Sequence, residues 1–369
     1  MRNGAYFPAD PVFRKPHRRG FAAFALLQVL FLWGFSGSVQ ADAPTDADPE
    51  VKTGPRVFGF IQFQVFNQPI DTNNDGEVNE GRFRIQRARL SVDGRINRYI
   101  TYEMDIDPRT PELDGLLRDA FFDIEYRPNH MLRLGQQKTK FGYENQQSSS
   151  RLYMVNRTEL SDGMARGVNL RDLGVTLLGK WRLGEDSRFE YAVSVVNGAG
   201  ANVQRDNNKK KSVWGRAGIR SKAGDTKWRL GFSGAKADLF EEWADPSDGE
   251  GLGYFIDFKS YGTDFLIDHK RLAVNGEFAI GPLEELGDKE TVHAYYLTLV
   301  GKTSRPIGPL LRYDSFNTDE FRRWTVGAWY GKPNDEFRVL FNYEFRFEED
   351  DVIDNAADDR LYLWTQVRF

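Results

Sequence analysis

From residue 57 onward the chain alternates apolar and polar residues with a period of two. Val57-Phe58-Gly59-Phe60-Ile61-Gln62-Phe63-Gln64-Val65 opens the series, and Arg87-Ala88-Arg89-Leu90-Ser91-Val92-Asp93 continues it. Ile100, Tyr102, Met104 and Ile106 then alternate with Thr101, Glu103, Asp105 and Asp107. Near the carboxyl end Phe337, Val339, Phe341, Tyr343 and Phe345 interleave with Arg338, Leu340, Asn342, Glu344 and Arg346. Successive side chains of a strand point to opposite faces, so each segment predicts a strand with one apolar and one polar face.

The pattern yields sixteen strands, at 56–66, 82–93, 95–107, 117–127, 129–137, 169–182, 187–197, 212–222, 226–237, 251–267, 271–281, 290–302, 307–315, 321–330, 335–347 and 359–369. Connections after odd-numbered strands are long, whereas those after even-numbered strands are mostly tight turns. A soluble sandwich alternates too, but its apolar face fills a core about 10 Å thick. Long loops alternating with short turns instead fit a transmembrane antiparallel barrel with lipid outside and water within. Phe58, Tyr126, Trp181, Trp228, Tyr254, Tyr313, Trp324 and Tyr330 stand near strand ends, where interfacial aromatic girdles lie. One phase slip interrupts the order: Phe83 and Ile85 are odd, Ala88, Leu90 and Val92 even, which predicts a β-bulge at Ile85-Gln86.

Composition narrows the class further. There is no cysteine among 369 residues, so disulfides, thiolate metal sites and a cysteine nucleophile are excluded. A net charge of -4 gives the chain no bias toward nucleic acid. Arg14, Lys15, His17, Arg18 and Arg19 precede an apolar run at 20–35 and a small-residue segment ending at Val39 and Ala41. This predicts a signal peptide over 1–41 and export, followed by an acidic, flexible extension over 42–55 and the barrel over 56–369.

The motif Phe83-Arg84-Ile85-Gln86-Arg87-Ala88-Arg89-Leu90 resembles the second strand of the phosphate-selective porin O and P family. The likeness continues through Leu117 to Tyr126, Leu132 to Lys138, Phe141-Gly142-Tyr143-Glu144 and Ser149-Ser150-Arg151, over about residues 56 to 200. It implies a passive sixteen-stranded bacterial outer-membrane porin, usually a homotrimer, with its third outer loop folded inward, here 138–168. Small anionic or neutral solutes would diffuse through it. The chain ends on Phe369, which resembles the closing strand read by the barrel assembly machinery; lipid and lipopolysaccharide would be the other partners. A non-conducting structural or adhesion barrel acting through its outer loops is the rival reading.

Strand parity assigns Arg87, Arg89 and Arg133 to the lumen, answered by Glu103, Asp105, Asp107, Asp123 and Glu125 on adjacent strands. The 138–168 loop adds Lys138, Lys140, Arg151, Arg157 and Arg166 against Glu144, Glu159 and Asp162. Rings of unpaired cations select anions, whereas opposite charges across a sheet pair and neutralise; both outcomes fit this inventory. Asp71, Asn73 and Asp75 with Gly76 resemble the start of a calcium loop, but Arg82 stands where its bidentate carboxylate belongs. A structural calcium and a plain polar hairpin loop are the two readings there, and no other cofactor is expected. The four histidines are scattered and no nucleophile elbow occurs, so no enzyme is expected; His293 would be the candidate base of a barrel hydrolase.

Overall fold

A computed structural model describes residues 54–67, 81–109, 116–164, 171–203, 210–244, 251–285, 288–317, 321–348 and 359–369. The strands are β1 (Arg56–Asn67), β2 (Arg82–Arg95), β3 (Ile100–Ile106), β4 (Leu117–Arg127), β5 (His130–Lys138), β6 (Arg171–Arg182), β7 (Arg188–Val196) and β8 (Ser212–Ala223). They continue as β9 (Thr226–Ala244), β10 (Gly251–Asp268), β11 (Leu272–Glu285), β12 (Asp288–Gly301), β13 (Ile307–Phe316), β14 (Phe321–Tyr330), β15 (Phe337–Glu348) and β16 (Arg360–Arg368). Each pairs with its chain neighbours, and β1 pairs antiparallel with β16, which closes the barrel. Closure leaves no sheet edge, the condition for strands to cross hydrocarbon.

The alternation sorts side chains as its period requires. Leu177, Val193, Phe278, Leu297, Val326 and Phe341 are exposed on the outer wall. Their neighbours Thr176, Ser194, Glu277, Thr298, Thr325 and Asn342 are buried inside. Tyr126, Trp181, Trp228, Trp324 and Tyr330 are exposed as girdle residues should be. Phe58 is different: it shares the parity of the buried Gln62 and Gln64, and the Arg56 guanidinium lies 5.0 Å over its ring. The side chain of Tyr254 lies outside the described residues.

The bulge is where the phase slip places it. Gln62 pairs with Arg87 and Phe63 with Ile85, leaving Gln86 as the extra residue. The extra residue turns Phe83 and Ile85 outward while Arg84 and Arg87 both turn inward, donating to Gln64 at 2.6 Å and Gln62 at 2.9 Å. At closure, Gly59 and Phe369 exchange two backbone hydrogen bonds, at 3.0 and 3.2 Å. A Cβ on Gly59 would lie 2.3 Å from the Arg89 carbonyl, so glycine permits this approach.

Some boundaries differ from the sequence reading. β3 starts at Ile100, not 95, because the Asn97 side chain accepts from the Tyr99 and Ile100 amides, each at 2.9 Å, and makes a turn of 96–99. β9 runs to Ala244 and pairs with β10 along its whole length, beyond the expected end at 237. There the backbone ladder continues through a charged stretch that sequence pattern marks as loop. β11 likewise extends to Glu285, past 281. The β4–β5 turn at Pro128-Asn129 is as tight as expected, with Asn129 in the left-handed region at φ 66.

Candidate functional site: a narrowed lumen and its cations

The segment after β5 turns into the barrel. Phe141 and Leu160 pack with Val196, Trp214, Phe258, Val292 and Tyr296, all from β7, β8, β10 and β12. Met154 and Val155 pack with Phe66, Leu310, Trp329, Leu340, Tyr362 and Trp364, from β1 and β13 to β16. A loop leaving β5 thus reaches strands on the far side of the barrel. Trp214, Leu340 and Trp364 occupy inward positions where alternation alone expects polar groups, because the loop covers them.

Carboxylates and guanidiniums fix the loop's course. Glu277 of β11 accepts the Tyr143 and Glu144 amides at 2.8 and 2.5 Å and the Tyr296 hydroxyl at 2.7 Å. Glu144 accepts the amide and hydroxyl of Thr158, the Ser161 hydroxyl and, at 2.6 Å, an Arg312 nitrogen. Burial works to raise the Glu144 carboxyl, but Arg312 and Arg157 outweigh it with those hydrogen bonds and hold it below the usual carboxylate range. Arg323 of β14 binds Asp314 and donates to the Arg157 carbonyl. Arg338 of β15 donates to the Ser150 and Leu152 carbonyls at 2.6 and 2.9 Å. Asn342 accepts the Val155 amide, and Asn156 donates to Glu344. A 3-10 turn at Ser149–Arg151 and a π-helical turn at Leu160–Met164 are the loop's short helical pieces.

Beside the loop, open space lies against β1 to β6 and, at one place, against β14 to β16. One cavity of about 370 Å³ is lined by Arg84, Gln86, Arg87, Arg89, Arg109, Arg118, Lys138, Ser149, Arg157 and Arg171. Eight of these described lining residues are cations and none is a carboxylate. The acids stand behind them: Arg89 binds Asp105 at 2.7 Å and Asp107 at 3.2 Å, and Arg171 binds Asp119 at 2.6 Å. A second cavity, about 350 Å³, shares Arg84, Arg87 and Arg157 with the first. A third, about 830 Å³, lies farther along β2 at Asp93 to Arg95. Its charges are balanced, Arg56, Arg95 and Arg133 against Asp93, Glu103 and Asp123.

The residues singled out from sequence separate accordingly. Arg87, Arg89, Lys138 and Arg157 line the all-cation cavity, while Glu103, Asp123 and Arg133 line the balanced one. Arg133 makes a two-pronged bond to Asp123, both contacts at 2.8 Å, and lies 3.5 Å over the Phe121 ring. Asp105 pairs with Arg89 instead of facing open space. Lys138 and Arg157 donate to loop carbonyls, Lys138 to Asn145 and Gln147, Arg157 to Glu144 and Gln147. Lys140 is buried; burial first, then the nearby Arg133 charge, pushes its amine down to about 8. Arg151 is exposed and lines neither basic cavity. Glu125 is spent on the turn amide of Asn129. His293 shares the outward parity of Leu297 on β12. Asp71, Asn73, Asp75 and Arg166 lie outside the described residues.

Sequence reasoning missed Arg84, Arg109, Arg118 and Arg171. Arg84 was within reach, since the bulge that explains the phase slip also turns it inward. The other three sit at strand ends or in connections, where period carries no information on direction.

A family model described as phosphate-selective porin O and P matches residues 60–250, farther than the motifs alone extend. No curated protein sequence matches the chain. Among solved structures, an anion-selective porin from Comamonas acidovorans is 11% identical with a TM-score of 0.60, over 86% of this chain and 100% of that one. In-vitro folded OmpT from Vibrio cholerae, in a trimer form, is 11% identical with a TM-score of 0.59, over 86% and 99%. The channel DcaP of Acinetobacter baumannii is 12% identical with a TM-score of 0.54, over 88% and 100%. At such identities these likenesses speak for the barrel fold. The family match spans more than half of the sequence, from β1 to the end of β9, on a closed barrel with a charged lumen: the chain belongs to the phosphate-selective porin O and P family of outer-membrane channels.

Proposed function

We propose that this porin works as a homotrimer, passes small hydrophilic solutes passively and prefers anions where the inward loop narrows the path beside β1–β6. The observation that carries the reading is the cavity with eight cations and no carboxylate in its described lining. Between low-dielectric walls such a cluster concentrates anions, and rings of Arg and Lys select them. The balanced cavity farther along β2 then lets the solute leave, since Arg56 and Arg133 already have carboxylate partners. Anion selectivity is a stated property of the Comamonas porin, and a trimer form of the Vibrio OmpT; both are extended to this chain as part of the proposal. Residues 1–41 would direct export, Phe369 would engage the assembly machinery, and the outer wall would meet lipid and lipopolysaccharide. Permeation involves no covalent step and no cofactor.

The test is a neutralisation series. In planar bilayers Arg84→Gln, Arg87→Gln and Arg118→Gln combined should lower the anion-to-cation permeability ratio about threefold or more, given the roughly 1 kcal/mol a unit charge exerts at contact in water. A folded triple variant with an unchanged ratio would refute the assignment.

A further inference from the structure

We infer that the outer wall at β8 to β10 binds a phosphorylated glycolipid of the outer leaflet, the lipid A part of lipopolysaccharide; this rests on the reading above that the wall meets lipopolysaccharide, and gives it a site. The register places Lys236 of β9 directly opposite Lys259 of β10. Both belong to the lipid-facing set. Lys236 shares the parity of the exposed Trp228, Leu230 and Phe232, and Lys259 that of the exposed Tyr261 and Ile267. Lys236 is itself exposed and Lys259 half-buried. Like charges directly opposite each other destabilise a sheet, and a lysine on the lipid face is costly except near the interface. An anion at headgroup depth relieves both costs.

The depth of the lysines follows from the strand. β9 begins at Thr226 on the short-turn side, with Trp228 near that end and Lys236 eight residues beyond Trp228. At about 3.4 Å per residue and a tilt of about 40°, the lysines stand about 21 Å above Trp228, against an apolar band about 25 Å tall. They therefore lie at the band's outer edge, on the side of the long connections.

Just below them the wall is dented. The next outward row consists of Gly215 of β8, Gly234 of β9 and Tyr261 of β10, joined by register. Beyond the chain neighbours, a Cβ on Gly215 would come no nearer than 3.9 Å to another atom and one on Gly234 no nearer than 3.8 Å, so packing inside the barrel demands neither glycine. Val193, Phe232 and Tyr261 stand exposed around the gap. An apolar trough capped by two ammonium groups fits an acyl chain lying over the glycines beneath a phosphate held by the lysines. A phosphate monoester carries close to two negative charges at neutral pH, which suits two lysines better than the single charge of a phospholipid diester. The pair beyond the lysines on the same ladder is Asp238 with Asp257. An ammonium has three donors, so a carboxylate on one side leaves donors for a phosphate on the other.

The experiment titrates diphosphoryl lipid A, lipid A lacking both phosphates, and phosphatidylglycerol into the purified, delipidated barrel in detergent, with native mass spectrometry counting the first molecule bound. Lys236→Gln/Lys259→Gln should weaken diphosphoryl lipid A about tenfold, the worth of two solvent-screened ion pairs, and remove the advantage the phosphates confer. Lys222→Gln/Lys227→Gln, a second opposed pair but of lumen parity at the short-turn end, should leave binding unchanged. Gly234→Leu, which fills the trough and leaves the lysines in place, should also weaken binding, and it serves as the test if the lysine variant does not fold. Because Lys236 and Lys259 face outward, their substitution should leave the chloride reversal potential as in the wild type. Equal affinity in the wild type and the lysine variant overturns the inference, as does equal affinity for lipid A with and without phosphates. Tighter binding of phosphatidylglycerol than of lipid A overturns the choice of lipid. If diphosphoryl lipid A binds the wild type and both variants alike, only this site falls; if it does not bind the wild type, the lipopolysaccharide reading falls with it.

Discussion

Replacing Glu144 with alanine should release the loop that narrows the channel. Glu144 is 3% exposed and accepts four hydrogen bonds, three of 2.9 Å from Thr158 and Ser161 and one of 2.6 Å from Arg312. Removing the carboxylate leaves the Arg312 guanidinium buried without its charge partner, a loss of about 3–5 kcal/mol for broken buried pairs. Arg312 keeps its bonds to Thr298 and to the Asn156 carbonyl, which argues for the lower end, about 3 kcal/mol. The orphaned Thr158 and Ser161 donors add about 1 kcal/mol each where water cannot reach them. The barrel ladder does not pass through Glu144, so the barrel should still fold. Single-channel conductance and open-channel noise should both rise, and anion preference should fall. Glu144→Gln, which keeps an acceptor but not the charge, should lie between. The sign of the pH effect follows from the depressed carboxyl: its contribution is complete above the ordinary carboxylate value of about 4.3 and is lost only as pH falls through the lower folded value. A folded Glu144→Ala barrel with wild-type conductance and noise would refute this account of the loop.

Two further perturbations probe the wall and the loop's first cation. Because the Lys140 amine is pushed down to about 8, chiefly by burial, it carries its proton below that pH and loses it above. Anion preference should therefore decline between about pH 7 and 9, with Lys140→Met showing the high-pH value throughout and Lys140→Arg abolishing the step; a step that persists in Lys140→Met would contradict the assignment. Deleting Gln86 removes the extra residue, so that Arg87 follows Ile85 directly and Phe83, Arg84, Ile85 and Arg87 all keep their faces in an unbroken ladder. No Arg reaches the lipid face, where one would cost about 2–4 kcal/mol at the midplane, so the deletion protein should keep its denaturant midpoint and its anion preference, and a clear loss of either would argue against Gln86 as the extra residue.

The barrel was legible because a closed sheet between lipid and water imposes period two on nearly every segment, and the Gln86 bulge because a single extra residue inverts that period. Strand pairing of Arg89 with Asp105 and of Arg133 with Asp123 was legible for the same reason: neighbours in the chain are neighbours in the sheet. The loop's grip was not. Arg312, Arg323 and Arg338 reach it from strands more than a hundred residues away, and nothing in local pattern distinguishes them from ordinary lumen arginines. Inward Trp214 and Trp364 look like exceptions to alternation until the loop that covers them is in place. The sequence inventory of acids left a selective and a neutralised lumen both open; in the structure Asp105, Asp107 and Asp119 pair with arginines and none of them lines the first cavity, so its surface is basic although its surroundings are mixed.

The central claim, an anion-preferring constriction along β1–β6, meets its most direct test in the zero-current potential of the purified wild-type protein across a potassium chloride gradient in a planar bilayer. The account predicts a potential of the sign set by chloride, moving toward zero as the arginines of the all-cation cavity are neutralised. A potential of the sign set by potassium in the unaltered protein would contradict it.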